Sequence, residues 1–184
     1  MSKINKLNKQ FKKATKAQKR VMIAQDVLAQ LKTKRYVAES GCWVKPNIHS
    51  SCKVSHHDSV QELFIEQKIE SCNVCALGGL FMSCTNFNNN TLIEDLDDAT
   101  AQLGDLIDEE EKLSNKLNSI FSVKQLKLIE VYFEGNDGYF YENREYDTVK
   151  AFYTKYPSDK KRLQLIMENI VENGGAFVPK KLKV

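Results

Sequence analysis

The sequence predicts a mainly α protein, a compact helical domain with a small β-hairpin near residues 36–45. Three observations lead to this fold class. Apolar residues recur at steps of three and four through the longer segments, several of these segments follow a Ser or Thr helix cap, and only three prolines interrupt a chain of 184 residues. This length is sufficient for one domain with a substantial core. We expect a basic lead-in helix over residues 1–15, a single mainly helical domain over 16–178 and a basic tail over 179–184.

The N-terminal segment has helical apolar spacing from Ile4 to Leu31. The apolar face changes phase between Ala14 and Ala17, so a lead-in helix should precede a better-packed helix from about residue 16 to residue 33. Short runs with aromatic residues then surround Gly41, which predicts the hairpin.

The central segment predicts two helices. Ser59 with Glu62 forms a capping-box pattern, which predicts a helix over about 60–70. Residues 73–84 should form a second, buried helix. Its Gly78 and Gly79 would let another backbone approach closely.

The clearest helical pattern lies further along the chain. Thr91 with Glu94 is a second capping box, and apolar residues then keep four-three spacing from Leu92 to Ile120, with only Glu110 breaking it. This pattern predicts a long amphipathic helix with a coiled-coil-like seam. The seam favours a homodimer.

The C-terminal part should contain three further helices. Ser122 caps a helix over 123–133, and a turn at 135–138 follows. A helix over 146–156 stops before Pro157. Ser158 then caps a final helix that ends at residues 173–175 in the manner of a glycine C-cap.

Charge is strongly segregated along the chain. Eleven of the 27 Lys and Arg residues lie within the first 35 residues, against a single acid, Asp26, while residues 92–111 carry nine acids and no base. The favoured interpretation is that the two blocks face each other, within one chain or between subunits. The alternative is a nucleic-acid-binding arm, because clustered cations neutralise phosphates. Its candidate residues are Lys9, Lys12, Lys13, Lys16, Lys19 and Arg20.

All five cysteines and all three histidines fall between Cys42 and Cys84. Two pairs in this window approximate the ligand spacing of a structural zinc site, so zinc is a possible cofactor. The favoured interpretation has buried apolar thiols and no cofactor. A dithiol redox site, or a Cys–His nucleophile using Cys42 or Cys52 with His56 or His57, is a lesser alternative. The candidate zinc ligands are His49, Cys52, Cys72 and Cys75.

Aromatic residues concentrate late in the chain. Nine of the seventeen lie between Tyr132 and Tyr156, interleaved with basic residues. Tyr and Arg are enriched at the energetic centres of protein interfaces. The candidate partner-binding residues are Tyr139, Tyr141, Arg144 and Tyr146.

Three stretches of the chain, residues 20–28, 72–78 and 167–175, resemble small uncharacterised proteins of bacteria and their phages. The resemblance implies a compact helical fold and an accessory protein of a mobile element. It supplies no active residue to transfer.

No complete catalytic motif is present in the sequence, although a metal-dependent enzyme around residues 49–75 remains a minor alternative. We therefore expect a non-enzymatic interaction protein, encoded by a phage or mobile element, that binds and inhibits or modulates a host protein of a defence pathway. The main alternative is a nucleic-acid-binding module. The sequence contains no long apolar run, so we expect no membrane partner and a cytoplasmic location, in the host cytoplasm if a phage encodes the protein.

Overall fold

The fold consists of a small three-stranded sheet with helices packed against it. The computed structural model describes residues 3–88, 92–93, 117–135 and 143–182. Within these ranges the fold is mainly α with a small β element, as predicted. The elements are α1 (Lys3–Lys13), α2 (Lys16–Lys32), β1 (Tyr36–Ala38), β2 (Val44–Ile48), α3 (Val60–Ile65), β3 (Ile69–Val74), α4 (Ala76–Asn88), α5 (Val123–Glu134), α6 (Asn143–Lys155), α7 (Asp159–Glu172) and a short 3₁₀ helix (Pro179–Lys181).

The break between α1 and α2 occurs at the predicted change of phase. Thr15 is the N-cap of α2: its side chain accepts a hydrogen bond from the Gln18 backbone N–H at 3.3 Å, and the Gln18 side chain accepts from the Thr15 N–H at 2.9 Å. This reciprocal capping box ends α1 and starts α2 in a new direction. The lead-in helix is anchored by buried Phe11, whose ring stacks on Phe87 of α4 at 4.6 Å.

The sheet has the order β1-β3-β2, so the predicted hairpin is wrong. β3 lies between the two short strands, parallel to β1 and antiparallel to β2. The N–H and C=O groups that a hairpin would have paired between β1 and β2 are paired with β3 instead. Pro46, which has no N–H to donate, is accommodated because β2 is an edge strand.

The helix predicted over 60–70 ends early, and the helix predicted over 73–84 begins later and runs further, over Ala76–Asn88, because β3 occupies residues 69–74. α3 ends at Ile65, and Gln67 then adopts a left-handed conformation with φ of 59° that turns the chain into the strand. Two of the strand's buried residues, Ile69 and Val74, fall within the segments that sequence reasoning assigned to helices.

Gly78 brings α4 against the loop that leads into β2. A Cβ atom at this position would lie 1.8 Å from the carbonyl oxygen of Trp43. The close approach expected of a small residue here is therefore confirmed, and no larger residue fits without displacing the backbone.

The predicted helix caps are confirmed where the structure describes them. The side chains of Ser59, Ser122 and Ser158 each accept a hydrogen bond from the backbone N–H three residues later. α7 ends at Glu172, with Asn173 as its C-cap before the two glycines, also as expected. Most of the predicted helix over 92–120, and the turn residues 136–138, lie outside the described residues.

The core is built around α2, which packs against α4 and α7. Ile23 and Val27 of α2 and Ile166 and Ile170 of α7 are fully buried. This arrangement fixes one long face of α2 in the core. Within the described ranges, no helix has the length and apolar character needed to cross a membrane.

Candidate interaction site

An open cleft of about 390 Å³ lies where α1, α2, α3 and α4 meet. Its walls are partly apolar and its floor is polar. The apolar lining residues are Leu7, Phe64, Ile65 and Phe87, and the polar ones include Asp26, Gln30, Arg35, Tyr36, Gln61 and Asn86.

The floor of the cleft is organised around the carboxylate of Asp26, in the middle of α2. Gln30, one turn later, donates its side-chain N–H to Oδ1 of Asp26 at 3.2 Å. Asn86 of α4 donates to Oδ2 at 3.1 Å and approaches the hydroxyl oxygen of Tyr36 at 3.3 Å. Gln61 of α3 in turn donates to the Asn86 side-chain oxygen at 3.2 Å. Four elements therefore converge on one polar network.

The Tyr36 hydroxyl adds no charge to this network, in which Asp26 is the acidic group. Burial, reinforced by the charge of Asp26, raises the pKa of the phenol far above its ordinary value. Its hydroxyl also lies 3.5 Å from that of Ser83. The phenol is thus a fixed neutral hydrogen-bonding group at the base of the cleft.

Among the Lys and Arg residues whose side chains the structure describes, none forms an ion pair with Asp26. The nearest basic lining residue, Arg35, places its guanidinium over the Phe64 ring at 5.5 Å from the ring centre. The half-buried carboxylate therefore has amide donors but no described cation beside it.

The rim of the cleft is apolar and exposed. Ile65, the last residue of α3, is 74% exposed, and Leu7 of α1 is 39% exposed. Phe64 between them is partly buried against the core. We call this surface the cleft face: Leu7, Phe64 and Ile65 at the rim, with Asp26 and Asn86 at the floor.

A second polar cluster surrounds Arg162 of α7, which is fully buried. Its Nε donates to the carbonyl of Phe133 at 2.8 Å, and its Nη1 donates to the carbonyls of Tyr156 and Pro157 at 2.9 and 2.8 Å. Its Nη2 contacts Oδ1 of Asp159 at 2.5 Å. The guanidinium also lies 4.0 Å from the centre of the Tyr153 ring. The cluster joins the ends of α5, α6 and α7.

Beside this cluster, α5 buries two carboxyl groups one turn apart. Oε2 of Glu134 accepts a hydrogen bond from the Gly41 N–H at 2.8 Å, while Oε1 of Glu134 and Oε2 of Glu130 have no hydrogen-bond partner among the described residues. Burial, with the Glu134 charge second, raises the pKa of Glu130 to about 7. Burial also raises the pKa of Glu134.

The four predicted zinc ligands are not gathered in one place. His49 lies in an exposed position with Nε2 3.1 Å from Glu70 Oε1. Cys72 and Cys75 are buried, and burial raises the pKa of each thiol to about 12. Within the described ranges, which include all four residues, no group of three or more His, Cys, Asp or Glu side chains is placed to hold a metal ion. Cys72, Cys75 and Cys84 are instead buried in the core, as expected of apolar thiols.

The predicted basic face on α1 and α2 is partly engaged within the fold. Lys19 lies over the Phe11 ring at 5.4 Å. Arg20 donates from Nε to the Gly175 carbonyl at 2.6 Å and from Nη1 to the Ile120 carbonyl at 2.8 Å, which ties α2 to two distant chain segments. Lys9, Lys12, Lys13 and Lys16 are exposed.

The predicted partner-binding tyrosines fall largely outside the described residues. Tyr139 and Tyr141 are not described at all. Arg144 and Tyr146 belong to α6, and their side chains are not described.

Sequence reasoning missed the cleft. The available signals were the single acid Asp26 within a strongly basic segment, and Asn86 at the end of a mostly apolar one. Neither signal indicates that the two side chains meet. No family model, curated protein or solved structure matches this chain.

Proposed function

We propose that this protein is a non-enzymatic interaction protein that binds a host protein through the cleft face. The observation that carries the proposal is the position of Ile65, a large aliphatic side chain 74% exposed at the rim of an open cleft. Inhibition or modulation of a host defence protein, and a phage or mobile-element origin, belong to the same proposal and rest on the resemblance and the sequence pattern.

A single exposed aliphatic side chain is ordinary on a protein surface. The cleft face differs because Leu7 and Phe64 lie beside Ile65 and line the same cavity. Contiguous apolar surface rimmed by polar groups is typical of interaction sites.

The polar floor suits recognition as well. A partner that covers the rim would exclude water from the Asp26–Asn86 network, and hydrogen bonds become stronger when water is excluded. The arrangement of apolar contacts around a desolvated polar centre is common at protein interfaces.

The test begins with a photo-crosslinking amino acid at position 65 in producing cells, with the same group at position 48 for comparison. Ile48 is also an exposed aliphatic residue, at 38%, but it lies on β2, away from the cleft. The protein captured only from position 65 is then purified, and its Kd is measured with Ile65→Asp and Ile48→Asp variants.

We expect Ile65→Asp to weaken binding by about 100-fold, the effect of losing a central apolar contact, and Ile48→Asp to change it by less than about threefold. Equal effects of the two substitutions, or no position-specific capture, would contradict the proposal.

Nucleic-acid binding is a second candidate, favoured by the exposure of Lys12 and Lys13 at the end of α1. Electrostatic binding of this kind weakens steeply with salt. A Lys12→Gln/Lys13→Gln variant should then bind single- or double-stranded DNA or RNA more weakly and with a shallower salt dependence. Absence of binding at low salt would eliminate this candidate.

The homodimer and the cytoplasmic location stay predictions, since the seam that favours a dimer lies largely outside the described residues.

A further inference from the structure

Asp26 is the one acid of the first 35 residues, and it lies at the floor of the cleft. Its two oxygens accept one amide hydrogen bond each, from Gln30 and Asn86. A carboxylate offers about four acceptor positions, so roughly two are not used by the described residues. The amide donors hold the carboxylate in place while leaving its negative charge uncompensated by any described cation.

A partly desolvated charge gains the most from an opposite charge that can also donate hydrogen bonds. Lys and Arg side chains carry such a charge at the end of an aliphatic stem, and they bury the stem along apolar surface. The cleft offers an apolar surface for the stem, with Leu7 and Phe64 at the rim, and a negative charge for the cationic group, with Asp26 at the floor.

We propose that the cleft binds a basic side chain, Lys or Arg, of the partner protein, with the cationic group at Asp26 and the aliphatic stem against Leu7 and Phe64. This inference rests on the proposed function, because it states what the partner presents to the cleft face. The cavity of about 390 Å³ is large enough to take one such side chain with part of its flanking backbone.

Arg35 is the main like charge at the site. Its guanidinium is exposed and lies over the Phe64 ring, at the rim. Charges in contact with solvent are screened by salt and water, whereas the floor of the cleft is less accessible. The incoming cation therefore passes Arg35 in the screened region and meets Asp26 in the less screened one.

The experiment uses two probes of matched shape, n-butylguanidinium and the neutral n-butylurea. Each is titrated into the full-length protein, and binding is followed by NMR through the side-chain amide signals of Gln30 and Asn86. We expect n-butylguanidinium to shift these signals and to bind about tenfold more tightly than n-butylurea, since only the cation forms a charge-assisted hydrogen bond. Equal affinity of the two probes for the wild-type protein would overturn the inference without any variant.

Two variants locate the effect. Asp26→Asn keeps the size of the side chain but removes the charge, and should abolish the preference for the cationic probe. Glu172→Gln removes one exposed acid from α7 and should leave the preference intact. A cationic preference that persists in Asp26→Asn would place the binding elsewhere and contradict the inference.

The same variants separate this inference from the proposed function. If Ile65→Asp weakens binding of the captured partner while Asp26→Asn does not, the cleft face is the interface but no basic side chain enters the cleft. If Ile65→Asp has no effect, the proposed function itself fails, whatever the probes show.

Discussion

Arg162 and Asp26 are charged residues in two regions of the same molecule, and their surroundings differ sharply. Arg162 is fully buried, and its guanidinium donates to three backbone carbonyls, the Ser40 hydroxyl and the Asp159 carboxylate. Asp26 is half-buried in an open cleft and, among the described residues, accepts two amide hydrogen bonds. The first charge is satisfied by the protein's own groups and stabilises the packing of helix ends. The second retains capacity to bind a group from outside.

Glu130 of α5 is a third charged residue, and its surroundings differ from those of both Arg162 and Asp26. Glu130 is buried, at 6% exposure, and the effects of burial and of the Glu134 charge on its carboxyl group outweigh the opposing effect of Lys127. Its response is a raised pKa, with a proton in place of a partner. The three charged groups are therefore stabilised in different ways. Arg162 donates hydrogen bonds within the protein, and Glu130 takes up a proton. In our proposal, Asp26 binds a cation of the partner.

The largest predicted effect breaks the comparison at Arg162. Arg162→Met removes the guanidinium that donates to three carbonyls and to Oδ1 of Asp159, and we expect the free energy of unfolding to fall by about 3–5 kcal/mol. Asp26→Asn, the matched change in the cleft, should alter it by less than about 1 kcal/mol, because the network stays accessible to water. Urea unfolding of both variants measures the difference. Similar losses in the two variants would show that Asp26 is as structural as Arg162.

The next prediction concerns the pH dependence that Glu130 confers. Its pKa is raised from 4.5 to about 7 in the folded protein, so the protonated form is favoured on folding. The resulting stability is fully present below pH 4.5 and is lost progressively as the pH rises towards 7.

Glu130→Gln should remove this pH dependence. At each pH we compare the unfolding free energy of the variant with that of the wild type. We expect this difference to be up to about 3 kcal/mol more favourable to the variant at pH 8 than at pH 4. Glu172→Gln, at an exposed position, is the control and should show no such change between the two pH values. Parallel pH profiles for wild type and Glu130→Gln would show that Glu130 does not cause the pH dependence of stability.

The sequence predicted the parts of the fold that depend on local chemistry. The caps at Ser59, Ser122 and Ser158 each require only a side chain and a backbone N–H three residues away. The break near Thr15 was visible as a change in the apolar face for the same reason. These features lie within one or two helical turns.

The features that sequence reasoning missed depend on contacts between distant segments. The hairpin prediction failed because β3, about 30 residues after β1, inserts between β1 and β2. The cleft joins Asp26 to Asn86, 60 residues apart, and no spacing rule connects an acid on one helix to an amide on another. The interpretation of Arg20 as a nucleic-acid contact met a similar difficulty, since its carbonyl acceptors lie 100 and 155 residues away.

The central claim is that the cleft face is the surface that binds a partner protein. Hydrogen–deuterium exchange of the protein with the partner captured from position 65 tests it most directly. We predict that protection on binding concentrates in α3, around Val60–Ile65, and in the side of the cleft formed by the end of α4. Protection confined to β2 or α7, with none at α3, would contradict the account.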